Sequence, residues 1–197
     1  GDFLESVSLK EEMEQHLIES SVRYNKEEKR LEAILPFIDD PTEGLKPNKV
    51  IARKVLESQM RKFSKKPEMI TDTLKSHDKL KDKGHVAKIS ELSESERDMM
   101  NSTSYSGYFI PWRTVYKESS MSTPCRVVFD AGAKTPGGSS LNDLLAKGQN
   151  KLCKILDILV RFRRKQHGAA ADISMCYNGV KLNPAHYCYQ KYLWIDE

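Results

Sequence analysis

The sequence predicts an α+β fold in which a helical N-terminal region with one hairpin precedes a strand-rich region. Apolar residues recur at helical spacing from Leu9 to about Lys83. From Tyr108 onward, β-branched and aromatic runs alternate with turn-forming segments. A chain of 197 residues can form one large domain or two small ones. We take one elaborated domain as the starting expectation.

Three helices are predicted in the N-terminal region. The first carries Leu9, Met13 and Leu17 on one face. The second follows a loop containing Pro41 and Gly44, and Pro47 lies just inside its expected start because proline is favoured in the first helical turn. A third helix opens at Pro67 and stops at Gly84. The polar segment 90–106 is expected to be a loop or a short capped helix.

Two hairpins are predicted. Segments 21–24 and 30–37 flank a polar turn at 25–29. Segments 108–116 and 125–130 form a longer pair, with the polar stretch 117–123 as its exposed tip. Segment 134–140 is a loop, and 150–164 is a helix that ends in a basic run. Short strands are expected at 169–173, where a buried strand would end at Asp172, and at 187–195.

Composition excludes some classes of protein. No apolar run approaches the eighteen or so residues of a membrane span, so neither a membrane protein nor a membrane partner is expected. The first ten residues lack the pattern of a secretory signal, and an intracellular protein is expected. The absence of an initiator Met favours a fragment or processed product. The four cysteines are sparse and irregularly spaced, which favours reduced thiols over disulfides or structural zinc.

The net charge of +4 lies entirely in residues 118–197, which is a modest indication that this part meets polyanions. A solvated surface without a ligand would give the same charge distribution.

One segment carries a recognisable chemical pattern. Asp172 closes the apolar run 169–173, and an aromatic, Tyr177, follows five residues later. This pattern resembles the first catalytic motif of reverse transcriptases, in which strand-end carboxylates hold two metal ions for phosphoryl transfer. The resemblance implies that Asp172 is a catalytic Mg²⁺ ligand and that Tyr177 is the gate that rejects the ribose 2′-hydroxyl. Alternatively, Asp172 only caps the turn after a strand.

The predicted second hairpin resembles the fingers of such enzymes. Lys117 and Arg126 correspond to the Lys and Arg that hold the incoming triphosphate in that family. Arginine's planar fork suits phosphate oxygens, and lysine supplies a mobile point charge. The alternative for Arg126 is a surface salt bridge.

A longer series of motifs resembles the Bel/Pao group of retrotransposon polyproteins from about Glu12 to the end. The matching segments are Tyr108-Phe109-Ile110-Pro111, Val115-Tyr116-Lys117, Arg126-Val127-Val128-Phe129-Asp130-Ala131, Ser140-Leu141-Asn142-Asp143, Arg161-Phe162-Arg163, Ala171-Asp172-Ile173, Tyr189-Gln190 and Leu193-Trp194, with Tyr24, Leu35-Pro36-Phe37 and Gly84-His85 upstream. The chain departs from the group's pattern at Pro111-Trp112-Arg113, Gly132 and Asn178-Gly179. The Y-x-D-D motif, which carries the other catalytic aspartates, does not occur.

The resemblance implies a helical linker region at 1–104 and reverse-transcriptase-like fingers with an incomplete palm sheet at 105–197, cut before Y-x-D-D. The complete enzyme would be an RNA-directed DNA polymerase that uses Mg²⁺, a primer–template and deoxynucleotide triphosphates. It would act beside the other polyprotein domains in a cytoplasmic retroelement particle. With one carboxylate, this chain is expected to be inactive alone. Asp172, Tyr177 and Arg126 are expected to face one cleft, because metal, sugar and triphosphate belong to one nucleotide.

Two further functions are compatible with the residues. A noncatalytic, nucleic-acid- or protein-binding remnant of a retroelement could use Trp112 and Tyr116 as exposed stacking residues, although both could equally pack the hairpin against its neighbour. An aspartic peptidase is the more remote alternative. It rests on Phe129-Asp130-Ala131-Gly132-Ala133, in which Ala131 replaces the hydroxyl residue of the peptidase loop.

Overall fold

The computed structural model describes residues 8–102, 107–116, 125–164, 166–173 and 176–195. It contains both helices and small antiparallel sheets, which confirms the α+β class at this level. The chain divides into two compact units, each built from separate stretches of sequence. Unit 1 comprises Gly1–Pro36 and Ala146–Lys181, and unit 2 comprises Phe37–Leu145 and Leu182–Glu197.

Unit 1 begins with the predicted helix and hairpin. Helix α1, Leu9–Ser20, starts at Ser8, whose hydroxyl accepts from the Glu11 N–H while the Glu11 carboxylate accepts from the Ser8 N–H. Strands β1, Val22–Asn25, and β2, Arg30–Ala33, pair antiparallel as predicted. Across the pair, the Arg23 guanidinium lies 2.7 Å from the Glu32 carboxylate.

The later part of unit 1 is attached to α1 by a loop. The Glu14 carboxylate accepts hydrogen bonds from the backbone N–H groups of Lys147 (2.8 Å) and Gly148 (3.1 Å). Gly148 has φ +63°, and a Cβ there would lie 2.8 Å from the Ile18 side chain. Glycine is therefore required at this turn for conformation and for space.

The predicted 150–164 helix is present as the shorter helix Ile155–Arg163, and every residue of 150–164 is exposed. We call this helix α6, because five α-helices precede it in the described residues. After α6, the expected buried strand at 169–173 was wrong: these residues are irregular and exposed. Three alanines, which are poor strand formers, make up most of this run, and no neighbouring strand pairs with it in the described chain.

The described part of unit 2 contains four α-helices: α2, Pro41–Gly44; α3, Lys49–Lys65; α4, Glu68–Asp82; and α5, Glu94–Ser102. Helix α3 starts after Asn48, so Pro47 lies just outside the helix and not inside it. Helix α4 ends as predicted at Gly84, which has φ +68°; its N–H and that of His85 donate to the carbonyls of Lys81 and Leu80. Helix α5 is the expected short capped helix: the Ser93 hydroxyl accepts from the Glu96 N–H.

The second predicted hairpin is also present in unit 2. Strands β3, Trp112–Tyr116, and β4, Cys125–Phe129, pair antiparallel, with Trp112 opposite Phe129 and Tyr116 opposite Cys125. The loop 134–140 follows as predicted; it is fixed by Thr135, whose hydroxyl accepts from the Lys46 N–H at 3.1 Å. Gly137 takes a positive φ of +65° in this loop.

The strand expected at 187–195 was wrong. Residues Pro184–Tyr189 form a 3-10 helix, and 190–195 are irregular. The Asn183 side chain accepts from the Ala185 N–H and Pro184 fills the first position, so these two residues start a helical turn. Strand β5, Lys181–Leu182, precedes this turn and lies beside β2 in a sheet of order β1-β2-β5.

The aromatic side chains of segment 187–195 nevertheless pack inside unit 2, as the aromatic content of the segment suggests. Trp194 stacks on His77 with ring centroids 3.7 Å apart, and it lies 4.5 Å from the Trp112 ring. The Trp112 indole N–H donates to the Leu193 carbonyl at 2.6 Å. The segment is therefore part of the core of unit 2. Within the described residues, no helix has the length and apolar character needed to cross a membrane.

Candidate functional site

The outer face of the second hairpin carries the first part of the candidate site. On this face Arg126 lies opposite Val115, and Arg113 lies opposite Val128. All four side chains are exposed. Because side chains alternate along a strand, the two arginines share one face and are diagonal neighbours, with Cα atoms about 7–8 Å apart. The hairpin thus presents two guanidinium groups separated by two valines.

The inner face of the hairpin is fixed against helices α3 and α4. The hydroxyls of Thr114 and Thr73 are hydrogen-bonded at 3.0 Å, and the Gln59 amide donates to the Trp112 carbonyl at 3.3 Å. The Tyr116 hydroxyl donates to the Met69 carbonyl at 3.2 Å. Burial, with a further contribution from Cys125, raises the pKa of Tyr116, so the phenol stays protonated as a donor. These contacts hold the strand that carries Arg113 on a rigid support.

Lys117, the predicted lysine partner of Arg126, lies outside the described residues. The structure therefore places one of the two predicted triphosphate contacts. Arg113, which the sequence prediction did not select, supplies a second cation on the same face. The alternation of side chains along the strands could have identified Arg113 only if the register of the two strands were known. The eight residues between Tyr116 and Cys125 leave that register undetermined in the sequence.

Asp172 and Tyr177 occupy a different setting. Asp172 is exposed in the irregular stretch and does not end a strand. Tyr177 is 96% exposed in the 3-10 turn Cys176–Gly179. Both belong to unit 1, whereas Arg126 belongs to unit 2. The expected convergence of these three residues on one cleft stays a prediction.

The donor set of a magnesium site is incomplete in the residues that the structure describes. Among them, no group of three or more His, Cys, Asp or Glu side chains could hold a metal ion. Asp172 contributes one carboxylate, while a two-metal site for phosphoryl transfer needs several on adjoining strands. The residues present do not by themselves fit the pair of magnesium ions that the polymerase resemblance implies.

The proposed stacking aromatics are not exposed. Trp112 is 3% exposed and packs on Trp194, while Tyr116 is half-buried and bonded to α4. The exposed placement that stacking requires was wrong for Trp112, and the alternative that both aromatics pack the hairpin against its neighbours is confirmed. Their side chains point inward because β3 alternates from buried Trp112 to exposed Arg113.

Asp130, the residue behind the peptidase alternative, directly follows strand β4 and begins a turn. Its N–H donates to the Pro111 carbonyl at 2.8 Å, and its carbonyl accepts from the Ala133 N–H at 3.2 Å. The adjacent Ala131 carbonyl accepts from the Asn142 N–H. These bonds account for the Asp-Ala-Gly segment as a structural turn.

A second cationic cluster in unit 2 was not predicted. The ammonium groups of Lys49 and Lys191 lie 5.7 and 4.9 Å from the centroid of the Phe109 ring. Burial lowers the pKa of Lys191, and the charge of Lys49 lowers it further. The Asn48 side chain holds the backbone of Phe109. Its amide NH₂ donates to the Phe109 carbonyl at 2.9 Å, and its amide oxygen accepts from the Phe109 N–H at 2.7 Å. The two lysines are far apart in sequence, so no local pattern could have paired them.

The four cysteines form no disulfide, and two are buried and two exposed. This agrees with the expectation of reduced cysteines.

Comparison with protein-family models, with curated proteins and with solved structures finds no match to the chain. Functional inference therefore rests on its own residues.

Proposed function

We propose that this chain is part of a Bel/Pao-type RNA-directed DNA polymerase, with a linker region at 1–104 and the fingers and start of the palm at 105–197. In this form it binds nucleic acid and nucleotide phosphates and does not carry out templated synthesis. The observation that carries the binding proposal is the exposed arginine face of the β3–β4 hairpin, with Arg113 and Arg126 on one side and α3 and α4 packed on the other.

The chemistry of this face suits phosphate. A guanidinium keeps its charge at every physiological pH and can donate two parallel hydrogen bonds to phosphate oxygens. Because the inner face of the hairpin is bonded to two helices, little backbone ordering is needed when a ligand binds the outer face. Lys117 follows β3 directly in the sequence and is proposed as a third cation toward the triphosphate.

Synthesis is not expected, because the sequence lacks the motif that carries the other catalytic carboxylates of two-metal catalysis. The Y-x-D-D motif is absent from the 197 residues, and Asp172 stands in an exposed irregular segment. In the complete enzyme, we propose that Asp172 is a Mg²⁺ ligand and that Tyr177 lies against the sugar.

A salt series of fluorescence anisotropy with a labelled primer–template tests the binding proposal. We expect weak binding without sequence preference, with an affinity that falls as salt rises, because phosphate contacts dominate. Arg126→Gln should weaken binding to all sequences alike and reduce the salt slope by about 0.7–0.9, the value of one lost phosphate contact.

The matched control is Arg53→Gln, which removes the same charge from the exposed side of α3. Binding should change less in this variant than in Arg126→Gln. Absence of binding at about 50 mM salt, or equal losses in the two variants, would contradict a phosphate-binding role for the hairpin.

A further inference from the structure

Helix α6 and the residues just before it expose many apolar side chains to water, which is energetically unfavourable. Seven large apolar side chains from Leu152 to Phe162 are between 47% and 85% exposed. Gly168 of the same unit covers part of this surface, because it packs closely on the Phe162 ring. A Cβ built on Gly168 would lie 2.5 Å from the Cζ atom of Phe162. Contiguous exposed apolar surface of this kind marks an interaction site.

The length of α6 adds an independent argument. The helix has nine residues, and isolated helices shorter than about 12–15 residues are marginal in water. Every residue of 150–164 is exposed, so tertiary packing supplies little of the missing stability. A partner that covers the apolar side would stabilise the helix when it binds.

The charges around α6 define the chemistry of that partner. At about 100° per residue, Lys154, Asp157, Arg161 and Arg164 form one polar stripe, and the apolar residues occupy the rest of the circumference together with Arg163. Lys151 adds a further positive charge before the helix. With one acidic residue among these positions, the segment is strongly basic, so its partner should be anionic.

A second copy of the chain does not suit this surface. Pairing two α6 helices would bring the same basic residues together and repel. The helix is roughly 14 Å long and 10 Å wide. The area of one helix face is therefore well below the area of about 800 Å² per partner that a stable protein interface buries.

We propose that α6 binds peripherally to an anionic lipid surface, lying in the plane of the interface. A narrow basic stripe beside a broad apolar face containing Leu and Phe is the pattern of interfacial helices. The lysine and arginine side chains extend along the apolar surface and place their charges among the lipid headgroups. This departs from the expectation of no membrane partner, which considered only the absence of a long apolar run.

Vesicle flotation with the full 197-residue chain tests the proposal. We expect the protein to float with phosphatidylcholine vesicles that contain phosphatidylserine and to remain unbound with phosphatidylcholine alone. Helical circular dichroism should increase on binding. Leu156→Asp should reduce partitioning by about tenfold or more, because a buried leucine is replaced by a charge.

Leu9→Asp is the matched control, because Leu9 on α1 is 73% exposed and Leu156 is 71% exposed. It should leave partitioning unchanged. Replacing Arg161 and Arg164 with Gln should weaken binding by about fivefold for each arginine, whereas replacing Arg53 and Lys54 with Gln on α3 should change it much less.

Three results would overturn the proposal. The first is no flotation with anionic vesicles, and the second is equal flotation of Leu156→Asp and wild type. The third is a helix gain on adding RNA or an acidic peptide but none with vesicles, which would assign α6 to a different anionic partner. None of these results bears on the hairpin, so the polymerase proposal is tested separately.

Discussion

The β3–β4 hairpin and the segment from α6 to Tyr177 carry the two halves of the predicted polymerase site, and they differ in what supports them. The hairpin has buried Trp112, half-buried Tyr116 and Phe129, helix contacts and hydrogen bonds on its inner face. The described residues from 150 to 180 are all exposed. Residues 169–173 make none of the strand pairing that the predicted strand would have needed. A phosphate clamp can be built from one hairpin and its supporting helices, whereas a carboxylate metal site needs neighbouring strands.

The difference predicts unequal costs for the same substitution in the two regions. Phe63 on α3 is 3% exposed and Phe162 on α6 is 51% exposed. Phe63→Ala should reduce the free energy of unfolding of unit 2 by about 3–5 kcal/mol, because it leaves a cavity. Phe162→Ala should change the free energy of unfolding of unit 1 by less than about 0.5 kcal/mol.

Urea denaturation measures this contrast when circular dichroism follows both units and tryptophan fluorescence follows unit 2. The chain has two tryptophans, Trp112 and Trp194, and both belong to unit 2, so the signal reports on that unit. Similar midpoints for Phe63→Ala and wild type would show that the helices do not support the hairpin as described.

A smaller effect is expected from acid. Burial lowers the pKa of His77 below its ordinary value of 6.5; the ring stacks on Trp194, and its Nε2 is hydrogen-bonded to the Tyr192 hydroxyl at 2.8 Å. The unfolded chain therefore binds a proton at a higher pH than the folded chain does. The stability of unit 2 should be highest above pH 6.5 and fall as the pH decreases from that value toward the lowered pKa.

Urea midpoints measured across this pH range, with the same fluorescence signal, test the effect. Burial also lowers the pKa of His186, so His77→Phe should flatten the pH dependence without removing it. An unchanged pH dependence in His77→Phe would show that His77 is not the titrating group.

Local signals explain what the sequence predicted well. Helix α4 ends at Gly84 because glycine readily takes the positive φ of the terminal turn. Both hairpins were predicted because alternating strands flank polar turns. Each of these features is decided within a few residues of the chain.

The errors arose where distant contacts or an overlooked cap decided the structure. Asn183 and Pro184 start a 3-10 turn in a segment whose aromatic content favoured a strand. The run before Asp172 resembles a motif that ends a strand, but its alanines favour a strand only weakly. The shared face of Arg113 and Arg126 depends on strand register, which composition does not determine.

Primer extension by the purified chain tests the central claim that the supported hairpin binds phosphates while the chain lacks a complete catalytic centre. With a primer–template, deoxynucleotide triphosphates and Mg²⁺ or Mn²⁺, we expect no templated incorporation, because Asp172 alone cannot hold two metal ions. Anisotropy on the same preparation should show salt-sensitive binding. Extension that disappears in Asp172→Asn would contradict the account, because it would show that the chain assembles a working polymerase site.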